Sequence, residues 1–312
     1  MKKMIDFIKM RKVLFIISAA LIVITVILAP FRTQLDINFS GGSIAKYSVS
    51  GSLDSINLDD FKKTVEDAVG EEVSITTSAD VLSGRSTIIV SISQSNGLND
   101  ETTVKMNKAI KEKFSDHDFK SEISNVNATM GREFFIKCIV ALVVAAILII
   151  IYIGFRFRKI GGISAGVFSV LALIHDAAIV YLAFLIFGFP LDSNFIAVIL
   201  TILGYSVNDT IVIYDRIREN QGIYGHKLKI GKLVNLSINQ TLGRTICTSA
   251  ATISSVLVIA VVALIANIDS IVSFAIPLLI GMIAGTYSSI CISSNLWVLW
   301  KERKENAKPV KK

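Results

Sequence analysis

The chain has 312 residues, 52% of them hydrophobic, with a mean hydropathy of +0.62 and a formal net charge of +7 at pH 7. Its apolar residues fall in blocks long enough to cross hydrocarbon, which excludes an ordinary soluble domain and points to a polytopic membrane protein. The positive charge does not point to nucleic acid. Lys2, Lys3, Lys9, Arg11 and Lys12 at one end, and Lys301, Arg303, Lys304, Lys308, Lys311 and Lys312 at the other, flank apolar blocks, where basic residues orient a protein in its lipid bilayer.

In chain order, a basic cytoplasmic segment (1–12) precedes a first span (13–30), whose apolar run is Val13 to Ala29. The run ends in ILAPFRT without a small-x-small cleavage pattern, so an uncleaved anchor is expected rather than a secretory signal. Residues 31–132 are polar and long enough to fold independently, and an extracytoplasmic domain is expected there. Their periodicity reads strand Ile44 to Val49, helix Leu58 to Val69, strand Val73 to Thr77, strand Ser86 to Ser93, helix Asp100 to Phe114 and strand Phe119 to Asn127, with breaks at Gly70, Gly84 and Gly97. That βαββαβ order predicts a ferredoxin-like α+β sandwich. The domain has no cysteine, one histidine (His117) and no clustered acids, which leaves contact with protein as its expected role.

Residues 133–300 carry five more spans, near Phe134 to Ile153, Ile163 to Phe187, Phe195 to Ile213, Thr245 to Ile265 and Ile271 to Trp300, the last long enough to require tilt or a break. The fold class is therefore membrane α-helical: six transmembrane helices with the α+β domain between helices 1 and 2. Arg156, Arg158 and Lys159 follow the second span, and Arg216, Arg218, Lys227, Lys229 and Lys232 lie in a loop expected at 214–244, whereas the turns near Pro190 and Asp269 carry no cations. Both termini, including the basic tail 301–312, are therefore expected in the cytoplasm. Cys138, Cys247 and Cys291 lie in or beside spans, so no disulfide is expected.

Asp209, in GYSVNDTIVIYDRIREN of the fourth span, most constrains function, because a carboxylate at bilayer depth costs about 2.5 to 3.5 kcal/mol and is retained for a purpose. Tyr205 lies one helical turn away and Asn208 beside it, so a phenol, an amide and an acid are expected to share one face. A structural acid bonded to a neighbouring helix is the alternative. At the head of the fifth span Thr241, Thr245, Thr248, Thr252 and Ser255 recur at steps of four and three, with Arg244 at the cytoplasmic end. Arg244 is placed either to pair with Asp209 or to reach lipid headgroups. In the third span Gly162, Gly166, Ser169 and Asp176 form a stripe with His175 adjacent, which is read as a second polar site or a structural hydrogen-bonded pair. Gly281 and Gly285 form a GxxxG packing motif. Asp215, Arg216, Arg218 and Glu219 are expected in exposed pairs, and the stretch from IYGHKLKIGKL to GRT reads as an interfacial amphipathic segment.

Together GYSVNDTIVIYDRIREN, SINQTLGRTICTS, ALIHD and DINFSGGS (Asp36 to Ser43) resemble the SecF family, the smaller part of the SecD/SecF translocase component in the resistance-nodulation-division superfamily. The resemblance covers essentially the whole chain. It implies half of a twelve-helix fold, completed by SecD, that works beside the SecYEG channel of a prokaryotic cytoplasmic membrane and uses a proton or sodium gradient to help draw preproteins outward. It implies no enzyme, no cofactor and no metal, and it assigns ion coupling to Asp209 and Arg244. Gly41 and Gly42 match the family's entry to the outer domain, as a hinge or a plain turn.

Three rivals remain at this level. Asp176 and Asp209 could form an intramembrane aspartyl protease dyad, but Gly204 precedes Asp209 by five residues and the GxGD spacing is missing. A half-size exporter of small molecules or lipids would share the superfamily fold, and a non-conducting translocon scaffold would share the partners.

Overall fold

The computed structural model describes residues 4–36, 42–50, 56–80, 85–92, 98–115, 117, 119–126, 128–266 and 268–307. Gly41, Gly84, Gly97, the strand ends Ser93 and Asn127, and the terminal Lys2, Lys3, Lys308, Lys311 and Lys312 lie outside them.

Helix α1 (Arg11–Arg32) is followed by β1 (Gly42–Ser50), α2 (Leu58–Val69), β2 (Val73–Asp80), β3 (Arg85–Ile92), α3 (Asp100–Lys113) and β4 (Lys120–Val126). The strands form one antiparallel sheet in the order β2-β3-β1-β4, with Tyr47 opposite both Ile88 and Ser121. Alternation does the work expected of a half-buried strand. Ala45, Tyr47 and Val49 of β1 and Ile88, Val90 and Ile92 of β3 face one core, which Phe61 and Val65 of α2 and Met106 and Ile110 of α3 close. Phe61 and Phe119 meet Tyr47 edge-on at centroid distances of 5.6 and 6.2 Å. Side-chain caps start both helices, since Asn57 accepts from the Asp59 and Asp60 amides and Asn99 from that of Thr102. Gly70, at φ 79°, ends α2 in the left-handed region that glycine tolerates.

Five long helices follow: α4 (Ala128–Arg156), α5 (Gly162–Phe187), α6 (Ser193–Tyr224), α7 (Ile230–Ile265) and α8 (Asp269–Ser288). A π-helical turn, Ser289–Ser293, joins α8 to α9 (Ser294–Asn306). Among the described residues six helical stretches are thus long and apolar enough to cross a membrane, the last running 38 residues from Asp269 to Asn306. The segment read as a loop at 214–244 is mostly helix, because α6 continues to Tyr224 and α7 begins at Ile230. Asn220 explains this extension: its amide bonds Ser237 Oγ and Gln240 Oε1, each at 2.8 Å, so the two helix ends zip together. The charged run pairs as expected at a helix end, Asp215 with Arg156 and Arg218, and Arg216 with Glu219.

Helices α5 and α8 occupy the centre. Helix α5 touches α1, α4, α6 and α8, and α8 touches α5, α6 and α7. Small residues permit the close approach. At Gly162 a Cβ would run into the carbonyls of Ile153 and Gly154, and at Gly281 into Ile202 and Val180. Helices α1 and α4 turn Val13, Ile16, Ile147, Leu148 and Ile151 outward, as side chains in lipid do.

A short strap joins the α+β domain to the bundle. The Leu191 amide donates to Gln34 O at 2.8 Å, the Asp36 amide donates to Leu191 O at 3.1 Å, and Thr77 Oγ1 of β2 donates to Asp269 Oδ2 at 2.9 Å. Beside the strap Asp192 caps α6 by accepting from the Asn194 and Phe195 amides. Burial, with a smaller contribution from Asp36, raises its carboxyl above the usual aspartate range. The assembled junction therefore binds this proton more tightly than the open chain does, so it is stabilised at acid pH and weakens as pH rises through and above about 4. Asp192→Asn keeps the capping oxygen and removes the charge. We expect amide exchange at residues 34–36 and 191–192, corrected for intrinsic rates, to lose its protection with rising pH in the wild type but not in the variant.

Candidate functional site in the membrane bundle

Among the described residues two buried carboxylates mark the interior of the bundle, Asp209 held by a hydroxyl from one neighbouring helix and Asp176 by hydroxyls from two. Asp209 on α6 is 3% exposed, and its Oδ2 accepts from Ser249 Oγ of α7 at 3.3 Å. Ser249 accepts in turn from Thr286 Oγ1 of α8 at 2.9 Å, which makes a three-helix chain that ends on the acid. Neither Ser249 nor Thr286 was singled out in the sequence, although Ser249 continues the Thr241 and Thr245 positions at a step of four.

The hydroxyl row of α7 divides. Thr241, Thr245 and Ser249 are buried, whereas Thr248, Thr252 and Ser255 are exposed and donate to their own backbone carbonyls four residues back. A single stripe was expected. The steps of four keep to one face, but the step of three to Thr248 rotates the row outward.

The expected trio on α6 also separates. Asp209 points inward, Tyr205 is half-buried with its hydroxyl enclosed and unpartnered among the described residues, and Asn208 is exposed. No hydrogen bond links the three among the described residues, because Asn208 is rotated out by 100° per residue while Tyr205 leans into the apolar cluster with Ile253 and Val256. Arg244 is exposed as well and makes no ion pair among the described residues, with Asp209 or otherwise. It lies five residues from Ser249, about 140° around the helix, so the serine that reaches Asp209 and the arginine look in different directions.

Asp176 on α5 is completely enclosed. Its Oδ2 accepts from Ser206 Oγ of α6 at 2.8 Å and from Ser288 Oγ of α8 at 2.7 Å, and His175 Nδ1 lies 3.2 Å from Oδ1. The GxxxG motif makes this pocket: Gly285 brings α8 to where an added Cβ would meet Ser206 at 3.0 Å and Asp176 Oδ2 at 3.6 Å. From Ser206 a ladder descends the α6 face through Thr210, which donates to Ser289 Oγ at 2.9 Å, to Tyr214, whose hydroxyl lies 3.1 Å from Ser293 Oγ. The π turn presents Ser289 and Ser293 to this face at the extra residue per turn that such turns insert. The signal lay in TYSSICISSN, an unusually hydroxyl-rich run for a span, and in Ser206, Thr210 and Tyr214 at steps of four.

The two acids share no hydrogen-bond partner among the described residues. Each rests on its own set of hydroxyls, Asp176 on Ser206 and Ser288, Asp209 on Ser249. No group of three or more His, Cys, Asp or Glu residues is placed to hold a metal among the described residues.

Residues 105–303 match the family model described as protein export membrane protein SecD/SecF, C-terminal. The chain is 33% identical over 304 residues to the protein translocase subunit SecF of Anaerolinea thermophila, covering 96% of this chain and 94% of that one. It is 36% identical to the protein translocase subunit SecDF of Bacillus subtilis over 304 residues, which are 96% of this chain but 38% of the relative. The crystal structure of SecDF from Thermus thermophilus, titled a translocon-associated membrane protein, superposes with a TM-score of 0.78 at 29% identity, covering 97% of this chain and 39% of that chain. The chain thus spans about two fifths of the SecDF chains and nearly all of the separate SecF chain.

Proposed function

Because the chain belongs to the SecD/SecF protein-export membrane family, we propose that it is the SecF-type half of a translocase component that assists protein passage across the cytoplasmic membrane. SecD supplies the other six helices, the SecYEG channel and the preprotein are its working partners, and the proton or sodium gradient drives it. Residues 31–132 then form a ferredoxin-like domain on the outer side that contacts the moving chain, and both termini lie in the cytoplasm.

The observation that carries this reading is the placement of Asp209. It is a buried acid at the end of a three-helix hydroxyl chain, next to a flank that leaves Asn208, Arg244, Thr248 and Thr252 exposed on membrane helices. Polar side chains on a span are costly against acyl chains, so that flank calls for a protein neighbour. In the SecDF relatives the matching region is about two fifths of a longer chain, whose remaining length could supply such a neighbour. Protonation of Asp209, or its pairing with Arg244 once a partner covers the flank, would then alter the packing of α6, α7 and α8.

Cysteines introduced at Asn208 or Thr248, with Cys247 removed, are expected to cross-link to SecD in native membranes, while a cysteine at lipid-facing Ile147 is not. Equal cross-linking at all three positions, or a homodimer in place of SecD, would favour the half-size exporter.

A further inference from the structure

Between the foot of α1 and the start of α7, at the edge of the apolar bundle, lies a cleft of about 770 Å³. Lys9, Arg11, Lys12, Lys229 and Lys232 line it, against two carboxylates, Asp6 and Glu302. Both acids are engaged. Glu302 accepts from Arg11 at 3.1 Å, and Asp6 Oδ1 accepts from the backbone amide of Lys9 at 3.0 Å. None of Lys9, Lys12, Lys229 and Lys232 is in an ion pair among the described residues, and with Glu302 paired to Arg11 the four ammonium groups face only the Asp6 carboxylate, which leaves the recess with an excess of positive charge.

The recess is held in shape. The amides of Ile5 and Phe7 donate to Asn239 and Asn235 at 3.0 and 2.9 Å, and both asparagine side chains donate back to Ile5 O, which clamps the N-terminal segment to α7. Gly231 lets the walls approach, since a Cβ there would meet Glu302 Oε1 at 3.2 Å. The lining is also amphipathic. Ile8, Leu228 and Leu236 share the cleft with the lysines, and Val13, Ile16 and Ile17 carry an exposed apolar track up α1 from its rim.

We propose that this cleft binds the phosphate-bearing headgroup of an anionic phospholipid, with its acyl chains along the outward face of α1. Charge selects an anion, and basic pockets between spans at the membrane surface suit acidic headgroups. The continuous passage from lysines to exposed aliphatics selects a lipid over an acidic protein segment, which would have no use for a track leading into hydrocarbon. Nothing in this proposal depends on ion coupling at Asp209.

The test uses the full chain, purified in detergent, and native mass spectrometry with added phosphatidylglycerol or phosphatidylcholine of matched acyl chains. Phosphatidylglycerol should be retained in preference to phosphatidylcholine. The triple variant Lys12→Gln, Lys229→Gln, Lys232→Gln should weaken phosphatidylglycerol binding on the order of 100-fold and leave phosphatidylcholine unchanged, given about fivefold per basic residue near an acidic surface. All three lysines are exposed, and the corresponding triple change to arginine should keep binding and guard against a folding artefact. Equal retention of both lipids, or undiminished phosphatidylglycerol binding by the glutamine variant, would overturn the proposal. So would full displacement by millimolar inorganic phosphate, which would mark a phosphate site without lipid, or binding of polyglutamate where phosphatidylglycerol does not bind.

Discussion

Asp209→Asn is expected to abolish the gradient-dependent part of protein export while leaving the protein at normal abundance in the membrane. The amide nearly matches the carboxylate in shape and keeps an oxygen to accept from Ser249, so the α6–α7–α8 contact survives. What is lost is the ability to take up and release charge. One elementary charge moving through the whole field releases about 2.3 kcal/mol per 100 mV, enough for a bias of about 50-fold between two conformations. Export measured by pulse-chase should therefore fall to the level seen when the gradient is collapsed, with no further loss when an uncoupler is added to the variant. Export that still responds to the gradient in a well-expressed Asp209→Asn strain would remove Asp209 from the coupling role.

The largest effect on stability is expected at the other acid. Asp176→Ala removes the shorter acceptor of Ser206 and Ser288, leaving both to the Gly285 carbonyl at 3.4 and 3.2 Å, and takes the neighbour of His175 Nδ1, all inside the packed centre between α5, α6 and α8. Each buried group left without a good partner costs about 1 to 3 kcal/mol, and the vacated volume adds to it. The sum corresponds to a fall in the thermal midpoint on the order of 10 °C. Asp176→Asn, which keeps one accepting oxygen, should lose markedly less. The readout is the monodisperse fraction of detergent-purified protein after graded heating. An alanine variant as heat-resistant as the wild type would show that the hydroxyl cage contributes nothing to holding the three helices together.

The spans were legible because hydropathy blocks depend only on composition and length, and the α+β domain's elements because two-residue and 3.6-residue periods differ sharply in a polar sequence. Strand Val73 to Thr77 was read three residues short, since Ser78, Ala79 and Asp80 extend it without an apolar alternation. The helical hairpin at 214–244 was misread for a related reason: charge near a membrane surface looks like a loop, while the Asn220 contacts that keep it helical are made to residues 17 and 20 positions away.

At the site, Asp209 and Asp176 stood out by charge alone, but their partners did not. Serine and threonine in spans are common and bond their own helix by default, as Thr252 and Ser255 do, so only their clustering and steps of four, and no property of the single residue, mark Ser249, Ser206 and Ser288 as the ones that reach across. The π turn has no simple residue signature, yet it decides which face Ser289 and Ser293 present. Arg244 is the opposite case. Its helix and position were readable, but its partner was not: the bundle leaves it exposed and without an ion pair among the described residues.

The central claim is that the buried carboxylate on α6 carries ions when a second six-helix half covers the exposed polar flank. Ion flux into vesicles reconstituted with this chain and SecD, under an imposed proton or sodium gradient and with a translocating preprotein, tests it most directly. Flux is expected to require both halves and to disappear with Asp209→Asn. Flux of equal size in the variant, or none in the wild-type pair while export assistance persists, would contradict it and leave a scaffold role in its place.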